Sequence, residues 1–169
     1  RSAYNLPVNP GSNEHIPYQG VAQGMCNAVV MKFYAANKRL SWATYYGGNG
    51  DDTWYPKTKA AALAVYTGSH PHRQFVYATG STSAEDFNVW REPGSVFQNA
   101  HLQPYTGGTA RMWVGAFRKL NGHRYWATTH GELGGDRTWG EHGLTIDLDP
   151  GGRLALGGML ESHATPYPV

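Results

Sequence analysis

The chain has 169 residues, with Lys plus Arg 14 and Asp plus Glu 12, a formal charge of +2. Charged residues are 15% and aromatics 13%, which argues against a charged disordered tail and gives no electrostatic case for nucleic acid. No apolar run is long enough for a membrane-spanning helix, and the lone Cys26 rules out an intrachain disulfide and a Cys-based zinc or haem site.

Abundant Gly, Tyr, Trp and Thr with few Glu and Lys predict an all-β fold with many turns. Residues 1–28 read as a linker or the end of a preceding repeat. Period-2 patterning then predicts strands over 29–35 and 40–47, joined at a turn marked by Asn37. Two more follow over 60–67 and 74–81, separated by Gly68-Ser69-His70-Pro71-His72. Residues 87–111, rich in Pro, Gly, Ser and Asn, read as a long connection. The second half predicts strands over 112–119 and 124–130, with Asn121-Gly122 as their turn. The last two, over 144–148 and 153–160, flank the turn Asp149-Pro150-Gly151-Gly152.

These elements repeat. Residues 29–47 align with 113–131 at an offset of 84, with seven of the 19 positions identical. The identities include Phe33/Phe117, Trp42/Trp126 and Gly47/Gly131. Gly50-Asp51-Asp52-Thr53-Trp54 then answers Gly135-Asp136-Arg137-Thr138-Trp139, and Pro10-Gly11-Ser12 answers Pro93-Gly94-Ser95. Four antiparallel strands per unit predict two tandem propeller-like blades, over 29–86 and 112–169. A two-sheet β-sandwich fits the same strand count. The two ends fall near the same phase of the repeat, as in a stretch of a longer array.

The run Trp42-Ala43-Thr44-Tyr45-Tyr46-Gly47-Gly48-Asn49-Gly50-Asp51-Asp52 closely resembles the signature of SBBP repeats, a bacterial β-propeller repeat. The resemblance extends to Ala28-Val29-Val30-Met31-Lys32-Phe33 before it. After it come Val76-Tyr77-Ala78-Thr79-Gly80-Ser81-Thr82-Ser83-Ala84-Glu85-Asp86-Phe87 and Pro93-Gly94-Ser95-Val96-Phe97-Gln98. The second unit departs from the signature at Thr129-His130-Gly131-Glu132, at Asp136-Arg137 and at Leu156-Gly157-Gly158. The resemblance implies a secreted or cell-surface bacterial protein, exported by the type IX route in Bacteroidetes-like lineages. It further implies a non-catalytic structural, adhesive or assembly role. The partners it implies are other blades of the same parent chain or other subunits.

Several residues are candidates for chemistry. Asp51, Asp52 and Trp54, with Asp136 and Trp139, could hold Ca²⁺ or a sugar. Their recurrence in both units favours a turn-fixing role instead. On this reading cell-surface glycans are the alternative ligand, and no cofactor other than Ca²⁺ is expected. Phe33, Trp42, Gly47, Phe117, Trp126 and Gly131 are the expected fold-forming residues. His70 and His72, His130 with Glu132, and Glu141 with His142 read as surface groups rather than metal ligands. Glu85, Asp86, Glu132, Asp136 and Glu141 show no spacing that selects a glycosidase pair. No nucleophile elbow is present, and Cys26 lacks a nucleophile's context. Of the aromatics Tyr45, Tyr46, Trp90, Tyr105 and Trp113, most are expected to be packed rather than offered to a glycan.

Overall fold

The computed structural model describes residues 27–48, 58–66, 71–84, 86–103, 111–131 and 141–160. These form an all-β molecule: β1 (Ala28–Phe33), β2 (Leu40–Tyr46), β3 (Thr58–Val65), β4 (Phe75–Thr82), β5 (Trp90–Arg91), β6 (Arg111–Arg118), β7 (Arg124–His130), β8 (Glu141–Leu148) and β9 (Leu154–Leu160). A short 3₁₀ turn, Pro71–Gln74, leads into β4.

The strands group differently from the predicted four and four. The central sheet has the order β3-β4-β6-β7-β5, while β1-β2 and β8-β9 are separate hairpins. All pairings are antiparallel. The boundary expected between 86 and 112 is therefore crossed by a full β4–β6 ladder, from Phe75↔Arg118 to Thr82↔Arg111. The physical reason lies in β4. It is buried along nearly its whole length, and pairing with β3 on one edge and β6 on the other satisfies backbone groups that burial cuts off from water.

The central sheet carries a core on each face. On one side Ala78, Trp113, Phe117 and Ala127 pack with Ala28, Val30, Trp42 and Tyr46 of the β1–β2 hairpin. On the other, Phe75, Tyr77, Val114, Ala116 and Trp126 pack with Ile146, and with Leu148, Leu154 and Leu156 of the β8–β9 hairpin. The result is three layers, a hairpin on either side of one sheet, rather than a two-sheet sandwich.

Local chemistry fixes the hairpins. In β1–β2, the Asn37 Oδ1 accepts the Arg39 N–H at 3.0 Å. In β6–β7, the Asn121 Oδ1 accepts the His123 N–H at 3.1 Å. This is the local side-chain bond that favours Asn in turns. The next residue in each turn is left-handed: Lys38 at φ 56 and Gly122 at φ 74. Gly122 is required for a second reason, since a Cβ there would meet the Trp42 ring at 2.7 Å.

The paired hairpins match residue for residue. β1–β2 runs from Ala28↔Tyr46 to Lys32↔Trp42, then shifts register to Phe33↔Leu40. β6–β7 runs from Met112↔His130 to Ala116↔Trp126, then shifts to Phe117↔Arg124. Adding 84 to each number of the first ladder gives the second, bulge included. β3–β4 and β8–β9 match in the same way. Their ladders shift between Ala60 and Ala62 and between Gly143 and Thr145, so Gly80 corresponds to Gly158 and Leu63 to Ile146.

Candidate functional site

Trp42 and Tyr46 hold the β1–β2 hairpin on the central sheet. The Trp42 Nε1–H donates to the Lys119 carbonyl at 2.9 Å. The Tyr46 ring meets Phe87, Trp113 and Phe117 edge-on, at centroid distances of 4.8, 5.1 and 5.4 Å. Its hydroxyl donates to the Asn88 carbonyl at 2.9 Å. The Arg124 guanidinium donates to that same carbonyl and lies 5.6 Å from the Tyr46 ring.

This docking leaves two features with functional potential. The first is strand edges. Among the described residues, β1 pairs only with β2 and β9 only with β8. Large apolar side chains stand exposed near β1: Met31 and Phe33 on β1 itself, Leu63 and Val65 on β3.

The second is an open groove of about 610 Å³ between the end of β1, the β3–β4 connection and the β6–β7 turn. It is lined by Lys32, Arg73, Arg118 and Lys119, with Tyr66, Gln74 and Leu120. Backbone carbonyls hold its two lysines in place. Lys32 Nζ donates to Lys119 O at 2.9 Å, and Lys119 Nζ donates to Tyr66 O at 2.8 Å. The Lys119 pKa is lowered, first by burial and then by the neighbouring Lys32 charge. Among the described residues the ion pairs are His123–Glu92 and Arg153–Asp149, so none of the four cations is matched by a carboxylate. These residues do not recur. The positions equivalent to Lys32, Arg118 and Lys119 hold Ala116, Tyr34 and Ala35. Sequence reading missed the groove because its cations lie on three separate segments.

The residues singled out from the sequence distribute as follows. Asp51, Asp52, Trp54, Asp136 and Trp139 lie outside the described residues, as do Cys26, His70, Glu85, Tyr105 and Glu132. Trp42, Gly47, Phe117, Trp126 and Gly131 are buried, whereas Phe33 is exposed. A Cβ on Gly47 would meet the Asn27 amide at 2.5 Å, and Gly131 has φ 147. Trp126 stacks on Phe97 at 5.8 Å with rings 4° apart, and its Nε1–H donates to His101 O at 2.9 Å. Of the aromatics weighed as glycan platforms, Tyr45, Tyr46 and Trp113 are buried and Trp90 is exposed. His130 is exposed and meets His101 edge-on at 6.5 Å. Asp86 is exposed.

Among the described residues no three His, Cys, Asp or Glu side chains converge to hold a metal ion. No helix there is long and apolar enough to cross a membrane. Comparison with known proteins gave no matching family model, no matching curated protein and no matching solved structure.

Proposed function

We infer that the chain is a non-catalytic structural or adhesive module that assembles by stacking propeller-like blades, in a secreted or cell-surface bacterial protein of the SBBP-repeat type. The observation that carries this reading is the exact correspondence of register and bulge between β1–β2 and β6–β7, and between β3–β4 and β8–β9. On this reading β3-β4-β6-β7 is one complete four-stranded meander. Each flanking hairpin is half of another, so the blade begins two strands later than the repeat in the sequence. Half-blades need completion, by other blades of the parent chain or by other subunits. The test is the intact mass of the protein from its native source, with its mass in solution by light scattering. A longer polypeptide or a multimer is expected. A monodisperse, folded monomer of 18.5 kDa contradicts the reading.

The basic groove favours a second reading, recognition of an acidic glycan. Four cations around Tyr66, which no carboxylate among the described residues matches, suit sulfate or carboxylate groups on a sugar chain. Binding of a sulfated oligosaccharide should weaken with salt and fall about tenfold in Arg73→Ser, an exposed site whose loss spares the fold. Absence of binding at low salt, or equal binding by the variant, removes this reading.

A further inference from the structure

We propose that a second copy of this chain docks head to tail on the β1 edge, its β8–β9 hairpin taking the place that β3–β4 takes beside β6. The inference rests on the stacking reading above and names the partner and the register.

Three observations carry it. First, the two edges are complementary by construction. β1 corresponds to β6 and β9 to β4 through matching registers and bulges. Within the chain, β4 and β6 already pair along their full length. Among the described residues, the β1 and β9 edges are the equivalent edges without a partner. Carrying the β4–β6 ladder over sets Leu154 of one copy opposite Phe33 of the other, Leu156 opposite Met31, and Gly158 opposite Val29. The same mapping keeps the faces in agreement. Val76 and Phe117 share one core, and their equivalents are Leu154 and Phe33.

Second, the exposed apolar residues mark the place where the second copy would lie. Ile146 on β8 is 7% exposed because it packs on the central sheet, while its equivalent Leu63 on β3 is 53% exposed. Within the chain β8 touches β3, β4 and β6, and β3 touches β1. The β1 contact of β3 is the equivalent of the β6 contact of β8. The contacts that β3 still lacks are those with the equivalents of β3 and β4, which are β8 and β9 of a second copy. Val65 lies on the same face as Leu63, opposite Val76, and would be covered with it.

Third, Met31 and Phe33 would extend the apolar face made by Leu154 and Leu156. That face rests on the central sheet of the copy to which those leucines belong. The second copy thus covers all four exposed residues by edge pairing and face packing together.

The contact joins two different surfaces, so it repeats from copy to copy and gives a ring or an open array. Each copy supplies the strands of two blades. A ring of three or four copies would hold about six to eight, within the range of closed propellers.

Single-cysteine chains in a Cys26→Ser background test the register. Residues directly opposite across a ladder lie within disulfide reach. On mixing Met31→Cys with Leu156→Cys under mild oxidation, most of the protein should become a mixed dimer. Met31→Cys alone, and Met31→Cys mixed with Leu154→Cys, should stay largely uncrosslinked. Light scattering of the unmodified chain should show a multiple of 18.5 kDa, so a misfolded variant cannot decide the matter. Efficient Met31→Cys self-dimers would mean a symmetric β1–β1 contact; this overturns the head-to-tail inference and leaves the stacking reading standing. A parent polypeptide whose own next repeat fills the edge does the same. A chain that is monomeric both in solution and at its source overturns both.

Discussion

Phe33 and Phe117 occupy the same position in two hairpins of identical register, yet Phe117 is 0% exposed and Phe33 is 54% exposed. The difference is what covers them. Phe117 lies under Tyr46 of the docked β1–β2 hairpin, whereas Phe33 is on the outer face of that hairpin. Phe117→Ala should therefore cost about 3–5 kcal/mol in denaturant unfolding. Phe33→Ala should cost less than about 1 kcal/mol in dilute solution, where copies are apart. Equal losses would mean that the two sites are not distinguished by coverage.

Trp42 anchors the hairpin through its buried ring and its bond to Lys119 O. Trp42→Ala should cost about 3–5 kcal/mol, read from the urea midpoint. A near-neutral effect would refute the packing role.

Gly122 and Gly94 separate backbone strain from crowding. Both are left-handed, at φ 74 and φ 70, but a Cβ on Gly94 meets nothing within 4 Å. Gly94→Ala should cost about 1–2 kcal/mol from the backbone alone. Gly122→Ala should cost about 1–3 kcal/mol more, because the methyl group strikes the Trp42 ring. Unfolding of the two variants side by side measures the difference, and equal costs would remove Trp42 from the account of this turn.

Tyr77 gives a signature at high pH. Burial pushes its phenol well above the ordinary value of 10.0. The unfolded chain then releases this proton at lower pH than the folded chain. Its contribution is fully present below about pH 10 and is lost as pH rises further. Tyr77→Phe should flatten the decline in unfolding midpoint between about pH 9 and 11. An unchanged slope would show that other groups set the alkaline limit.

Much of the strand content was legible because it follows local rules. Alternation predicted eight strands to within a few residues at each end, and Asn37, Asn121 and Asp149 sit in the turns where their side chains bond the backbone. The grouping into sheets was not legible. The β4–β6 ladder joins residues on either side of a long connection, and strand periodicity carries no information about which edge a strand will meet. Trp90 and Arg91 form a strand of two residues against Ala127 and Trp126, too short to leave a periodic signal. Arg73 and Lys119 meet at the end of the β4–β6 ladder, and Lys32 joins them through the docking of the β1–β2 hairpin, so the groove is a tertiary feature with no motif of its own.

Leu63→Lys should separate assembly from folding. The residue lies on the open side of β3, so the single copy should keep its stability to about 0.5 kcal/mol. Self-association should be lost, because a charge would be buried under the second copy. Sedimentation of the variant beside the unmodified chain checks this; unaltered association would place the contact elsewhere.

On the proposed assembly, β1 and β9 are pairing edges for each other. Amide hydrogen exchange on residues 28–33 and 154–160, followed across protein concentration, reads this pairing on both strands. In a two-stranded hairpin only alternate amides are bonded to the partner strand. As concentration rises, the remaining amides of both strands should gain protection together. Outward amides of β1 and β9 that exchange freely at every concentration, or protection gained on one strand alone, would contradict it.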